Sequence, residues 1–355
     1  MKAILSDQHC HSWSQFAKTD SNGVNTRLTI ILDEMERAAD ELLAAGGKEM
    51  FFAGDLFHVR GSIDPEVFNP TQERIRRILD KGVSITAIPG NHDLKSRNTT
   101  AIGNAMQSLD ALKGFQVVTG ATICHRTDTV MVPWVHSLDE LENTVVATKF
   151  IKDSAVSDLI IHAPLNSVLP GLPATALDPL RVKSWGFRRV FCGHYHNHKE
   201  VLPGVFSIGA TTHQTWGDIG SKAGFLLIDD EKVTWRASRA PSFVELDEAT
   251  REEDIPLIVD GNYVRVRGLK MTERQVSQMN KELHEMGALG TSFQIAREAA
   301  SVRTGGMTTL SVAPTLKESI GNYIDGLKLD PDIATTVQAR CDDILSSVSS
   351  AARIS

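Results

Sequence analysis

Five short stretches of this chain carry side chains that bind cations and move protons. They are Ser6-Asp7-Gln8-His9, Gly54-Asp55-Leu56-Phe57-His58, Gly90-Asn91-His92-Asp93, Ile161-His162-Ala163 and Gly193-His194-Tyr195-His196. Carboxylates, an amide oxygen and imidazoles form a mixed O/N donor set, which suits Mn²⁺, Fe²⁺ or Zn²⁺ rather than Ca²⁺. In Asp7-x-His9 and His194-x-His196 the spacing puts two donors on the same side of an extended turn. The glycines at 54, 90 and 193 let the backbone turn sharply, so that the next side chain points at a shared centre. A lone Asp-x-His is common, and Asp7 or Asp55 by itself reads as an ordinary strand-end cap. Five such stretches, each behind an apolar strand, favour ligation.

The elements that must position these residues are legible as an alternation. Ala3-Ile4-Leu5, Met50 to Ala53, Val83 to Ile88, Leu159 to Ile161 and Val190 to Cys192 read as buried strands. Helical patterns lie at 28–43 (Leu28, Ile31, Leu32, Met35, Leu42), 66–81, 98–112 and 137–151. Alternating strands and helices imply a layered α/β core. In such folds, loops at the strand C-terminal ends converge on one edge of a sheet. Closely spaced strands at 205–208, 224–228 and 233–236 suggest antiparallel pairing that completes a second sheet.

The alternation breaks near Ala240-Pro241, and a compact β-α-β unit follows. Its helix starts at a capping box, Thr272 with Gln275, and stops at Gly287. Residues 301–314 read as a polar linker. A second capping box, Thr315 with Glu318, and Asp330-Pro331 then open two short amphipathic helices. The expected domains are 1–240, 241–300 and 301–355.

Composition sets limits. The chain has 355 residues, 41% hydrophobic and 23% charged, with a net charge of −7. That balance argues against coating nucleic acid by overall basicity, though a local basic groove stays open. The sequence has no GxxxxGK[ST], so P-loop ATP hydrolysis is not expected. Cys10, Cys124, Cys192 and Cys341 show no CxxC pairing and read as reduced thiols. Asp7 ends the first apolar run too early for a signal peptide, and no stretch approaches the roughly 18 apolar residues of a membrane span. A cytoplasmic location is expected, in a bacterium or in the host of a virus.

The five stretches, in this order and strand context, resemble the motifs of calcineurin-like metallophosphoesterases. Gly-Asp-Leu-Phe-His at 54–58, and Gly209-Ala210, Trp216-Gly217-Asp218 and Gly224 to Ile228, are similar to the Mre11/SbcD nuclease branch. The resemblance implies a four-layer α/β/β/α core with a small α+β cap domain and a helical C-terminal tail. It implies that Asp7, His9 and His196 bind one metal and that Asn91, His162 and His194 bind a second, with Asp55 bridging. The ions would be two divalent cations, Mn²⁺ foremost, with Fe²⁺, Zn²⁺ and Mg²⁺ as alternatives. His92 would face the scissile phosphate and protonate the leaving oxygen, with Asp93 orienting its ring and His58 nearby. DNA is the implied substrate. The implied partners are a Rad50/SbcC-like ATPase gripped by 315–349 and a second copy of the chain docked through helices within 66–112.

Two other readings stay open. One is a phosphodiesterase or phosphatase acting on small nucleotides or phosphoproteins. The other is a non-catalytic scaffold of the same fold, although no position of the seven-ligand set is missing. Among neighbouring residues, His11 and His198 read as surface or outer histidines. His125, His136, His213 and His284 read as structural or surface groups, and Cys10 and Cys192 as packing residues. Arg74, Arg76 and Arg77, and Arg188-Arg189, read as solvated charge. Lys95 and Arg97 stand closer to where a phosphate backbone must pass.

Overall fold

The structure is a computed structural model. It describes residues 1–96, 103–149, 155, 157–169, 176–294, 323–324, 333 and 335–342. The chain divides into two compact units, Met1–Arg297 and Glu298–Ser355.

In the first unit, one six-stranded sheet is built from β1 (Lys2–Leu5), β2 (Glu49–Phe52), β3 (Ser84–Ala87), β4 (Phe115–Val117), β11 (Gly224–Ile228) and β12 (Val233–Ala237). Its order is β12-β11-β1-β2-β3-β4. Strands β1 to β4 run parallel, and β11 lies antiparallel to β1. The second sheet takes β5 (Thr122–Cys124), β6 (Thr129–Val132), β7 (Asp158–His162), β8 (Arg189–Gly193), β9 (Lys199–Leu202) and β10 (Val205–Ser207), in the order β5-β6-β7-β8-β10-β9.

Side chains alternate across each strand, and this sorts the core into three slabs. Ile4, Phe51 and Leu226 from one sheet meet Met131, Ile160, Phe191 and Phe206 from the other. Their neighbours Ala3, Leu5, Met50 and Phe52 face outward onto α1 (Thr26–Ala44) and α2 (Pro65–Asp80). Val130, Leu159, Ile161 and Val190 likewise face α3 (Leu138–Thr148) and α4 (Pro179–Ser184). The result is the expected α/β/β/α layering. Helix α1 begins where Asn25 Oδ1 accepts from the backbone of Arg27 and Leu28. Its Leu28, Ile31, Leu32, Met35 and Leu42 are all buried.

Two expectations need correction. Strands β10, β11 and β12 do not form one antiparallel set. β10 lies parallel to β8, whereas the β11–β12 hairpin joins the first sheet beside β1. Strand spacing reveals a hairpin but not which distant edge it pairs with. Within 98–112, the described residues hold a single 3-10 turn, Gln107–Ala111, rather than an α-helix.

A third sheet, β13-β14-β15, is wholly parallel: β13 (Phe243–Leu246), β14 (Tyr263–Arg267) and β15 (Gly290–Gln294). It adds β13 to the expected β-α-β unit. Helices α5 (Ile255–Val259) and α6 (Glu273–Glu285) connect its strands, and Thr272 with Gln275 forms the expected capping box. An aromatic seam joins this sheet to the larger ones. Phe16 stacks on Tyr263 at 5.0 Å, and Trp216 meets Phe243 edge-on at 4.7 Å. The Arg27 guanidinium lies over Phe243 and Tyr263 and donates to Gln214 O at 2.7 Å.

The linker and tail expected over 301–355 fall almost entirely outside the described residues; residues 335–342 are helical. No helix among the described residues is long and apolar enough to cross a membrane.

Candidate active site

β1, β2 and β3 run parallel in one sheet and β7 and β8 in the other, and the loops after their C-terminal ends meet. The five sequence stretches sit there. The first two loops are stitched together: Asp7 N donates to Gly54 O (3.0 Å), His9 N to Asp55 O (2.9 Å) and Cys10 N to Leu56 O (2.8 Å). Four donor residues adopt left-handed backbone, with φ of 52° at Asp7, 48° at His9, 56° at Asp55 and 105° at His194. Each such conformation costs about 1–3 kcal/mol, and it persists only where the surroundings over-determine it. At Gly54 the φ of 100° does call for glycine. At Gly90 the need is room rather than turning, since a Cβ there would collide with the Asp55 carboxylate.

The structure brings all seven expected donors together. Asp7, His9 and His196 place one ligand atom each within 4.8 Å of one another, as do Asp55, His162 and His194. Asp55 Oδ2 lies 3.7 Å from His9 Nε2 and 3.4 Å from His162 Nε2, so one carboxylate faces both groups. Asn91 Oδ1 lies 2.9 Å from His194 Nδ1 and 3.2 Å from His162 Nε2.

The fit to cations rests on two observations. Asp7 Oδ1 is buried without a hydrogen-bond partner, a position that is costly unless a cation faces it. Two imidazoles have their Nδ1–H committed outward: His162 donates to Ala53 O and His196 to Asp218 Oδ1, both at 2.7 Å. That leaves the Nε2 lone pairs turned into the site, the arrangement metal-binding histidines use. These groups interact strongly with one another electrostatically. Burial acts to raise the Asp55 carboxyl, but His162 and His9 hold it far below the carboxylate range. Burial acts to lower His162, but Asp55 brings it up to about 9. Burial, reinforced by His162, takes His194 down to about 3.

A third group, His9, His58 and His92, adjoins the first. His58 and His92 stack at 5.3 Å and 16°. Burial and the neighbouring His11 bring His58 down to about 4, so it is neutral near pH 7. The expected role of Asp93 is not met. His92 Nδ1 donates to the carbonyl of His58 (2.7 Å), and this fixes the ring. Asp93 instead accepts from the backbone of Asp55 (2.8 Å), Leu56 (3.3 Å), Phe57 (3.0 Å) and Gly90 (2.9 Å). It is wholly buried, and that burial together with Asp55 pushes its carboxyl up to about 7. Its work is to lock two donor loops together. Asp93→Ala strands four buried N–H groups, so denaturant titration is expected to show a loss of roughly 3 kcal/mol or more.

Sequence reasoning left three contributors without a role. Asp218 holds His196 and also accepts from the backbone of Gln214 and Thr215. Gln214 Nε2 donates to Gln8 O at 3.0 Å, between Asp7 and His9. Trp134 stacks on His194 at 5.3 Å. Thr215 and Asp218 form a capping box in the structure, a pattern that marks a turn and not a metal. Asp218→Asn is expected to weaken metal binding about 10–100-fold, read by calorimetric titration, while His196 itself is retained.

The remaining candidates fall elsewhere. His198 donates to Ser207 O and stacks on Trp235. His213 bridges Ser221 O and the Phe243 backbone, a structural part. Burial pushes the Cys10 and Cys192 thiols up to about 12, as suits packing residues. Arg74 and Arg77 pair with Asp33 and Glu36 on α1, and Arg76 with Glu73. Arg188 and Arg189 both engage Asp158. All five arginines are ion-paired, and Arg76 and Arg77 remain exposed to solvent. Arg97 lies outside the described residues.

The calcineurin-like phosphoesterase model matches residues 3–198, a span holding all five donor stretches. The chain belongs to the calcineurin-like phosphoesterase family. Exonuclease subunit 1 of Enterobacteria phage T4 is 26% identical to this phosphoesterase over 223 residues, covering 62% of this chain and 63% of the phage protein. The match thus spans just under two thirds of that relative. Among solved structures, the TT1561 protein of Thermus thermophilus is 12% identical with a TM-score of 0.42, covering 67% of this chain and 98% of that one. The Pseudomonas putida nuclease MPE is 17% identical with a TM-score of 0.25, covering 56% and 62%.

Proposed function

We propose that this phosphoesterase is a Mn²⁺-dependent DNA exo/endonuclease, the nuclease subunit of an SbcCD/Mre11-Rad50-like complex. The observation that carries the reading is the shared carboxylate: Asp55 Oδ2 stands 3.7 Å from a donor of one group and 3.4 Å from a donor of the other. Asp7, His9 and His196 would hold one ion, Asn91, His162 and His194 the second, and Asp55 both. When bound, two divalent cations supply hydroxide near neutral pH and stabilise the attacking and leaving oxygens of an in-line displacement.

The chain's own groups do the rest. The His58 carbonyl can only accept, so it fixes the proton on His92 Nδ1 and leaves Nε2 for the substrate side. As imidazolium, His92 carries a second proton on Nε2 to give to a departing oxygen. His58, neutral and stacked on it, walls the site without adding charge. Asp93 holds the two loops from which Asp55 and Asn91 project.

Similarity to a phage exonuclease subunit supports a nucleic-acid substrate and a multi-subunit assembly. Residues 241–355 go beyond what a minimal small-molecule phosphodiesterase needs. In the full proposal a Rad50/SbcC-like ATPase grips 315–349, and a second copy docks within 66–112, where α2 is the one described α-helix. The test is cleavage of linear DNA with Mn²⁺, Mg²⁺, Zn²⁺ or no metal, with and without the ATPase. Mn²⁺-stimulated cleavage is expected; its absence in every combination refutes the nuclease reading.

A further inference from the structure

Beside Asn91 opens a cleft of about 480 Å³ bordered by Arg60, Lys95, Trp134 and His136. Arg60 and Lys95 are exposed, and neither takes part in an ion pair among the described residues. The contrast with Arg74, Arg77, Arg188 and Arg189, all bound to carboxylates, is informative in a chain of net charge −7. Two cations left unpaired at the mouth of the donor groups invite an anion.

Trp134 is fixed at the back of this cleft. Its backbone N–H donates to Pro89 O at 2.9 Å, beside the Gly90-Asn91 loop. Its ring stacks on His194 at 25° and meets His162 edge-on at 6.0 Å. Trp134 also borders a second hollow of about 470 Å³, whose lining includes Pro133 and Val135. The first cleft thus pairs two cations with a flat aromatic ring. A nucleotide has the same two halves, a charged phosphate and a flat base.

We propose that this cleft binds the nucleotide next to the scissile phosphate, with Arg60 and Lys95 on its flanking phosphate and Trp134 against its base. The proposal rests on the phosphodiesterase reading above and goes further, because a base stacked on an indole has left its duplex stack. The substrate strand therefore enters unpaired at this position. Stacking of one base on an aromatic side chain is worth about tenfold or more in binding.

Small esters test the base contact without any need for DNA cleavage. The p-nitrophenyl esters of thymidine 5′- and 3′-monophosphate are compared with methyl p-nitrophenyl phosphate, which has the same leaving group and no base. At least one nucleoside ester is expected to exceed the methyl ester about tenfold in kcat/KM. Trp134→Ala should bring that ratio near one, and Trp134→Phe should keep most of it. A wild-type ratio near one, or a ratio that survives in Trp134→Ala, overturns the proposal. So does an equal loss on both esters, which would make Trp134 only a support for His194.

A second arm needs no turnover: binding of a fluorescein-labelled single-stranded oligonucleotide with Ca²⁺ in place of Mn²⁺. Trp134→Ala should weaken it about tenfold. Arg60→Ala/Lys95→Ala should reduce the slope of log Kd against log salt by about 1.4. Unchanged affinity or slope overturns the proposal. A nucleoside preference in a protein that leaves linear DNA intact would keep the subsite and refute the nuclease reading, so the two failures are distinguishable.

Discussion

Asp55→Ala is expected to lower phosphodiester hydrolysis by on the order of 10³-fold or more and to strip bound metal from both donor groups. The reason is geometric. Asp55 Oδ2 faces the imidazoles of both groups, 3.7 Å from His9 Nε2 and 3.4 Å from His162 Nε2. Its second oxygen accepts from His92 N at 2.8 Å, so the same side chain also sets the loop carrying Asn91 and His92. The check is metal content by elemental analysis alongside turnover of a small phosphodiester. Full metal content in Asp55→Ala would show that the two groups are held independently, and the shared-carboxylate account would fall.

His92→Gln separates chemistry from ion binding. Turnover is expected to fall about 10²–10⁴-fold, the usual contribution of a positioned proton donor, while metal content stays at the wild-type level. Glutamine can still donate toward the His58 carbonyl but carries no transferable proton. His92 Nδ1 is already committed to that carbonyl at 2.7 Å, and the seven proposed ligands do not include this ring. Loss of metal together with activity would make His92 a ligand. Retained activity would remove its acid role.

The donors were legible because their types and spacing are local facts, and the strands before them are short apolar runs. The layering was legible too, since residues such as Ile4, flanked by Ala3 and Leu5, announce a strand buried on both faces. What the sequence could not carry was pairing at a distance. The β11–β12 hairpin was visible, but its place beside β1 depends on contacts across more than 200 residues. Strands β4, β5, β6, β9 and β13, of three or four residues each, were not read from the sequence. Asp93 illustrates the limit at the site. Its neighbour His92 suggested a side-chain partner, yet its carboxylate is consumed by four backbone donors, three of them on a loop some 36 positions away. Asp218 was hidden for the same reason: only folding puts it against His196.

The aromatic seam between the small sheet and the donor loops has a mechanical consequence. Arg27, lying against Phe243 and Tyr263, grips the Gln214 carbonyl, and the Gln214 amide grips the backbone at Gln8, midway between two of the proposed ligands. Trp216, pressed on Phe243, lies two residues before the carboxylate that steadies His196. The small sheet cannot rock freely on this load path. Any pull on it is felt by the first donor group within a few links, so whatever tugs on that sheet has a handle on the geometry of the site.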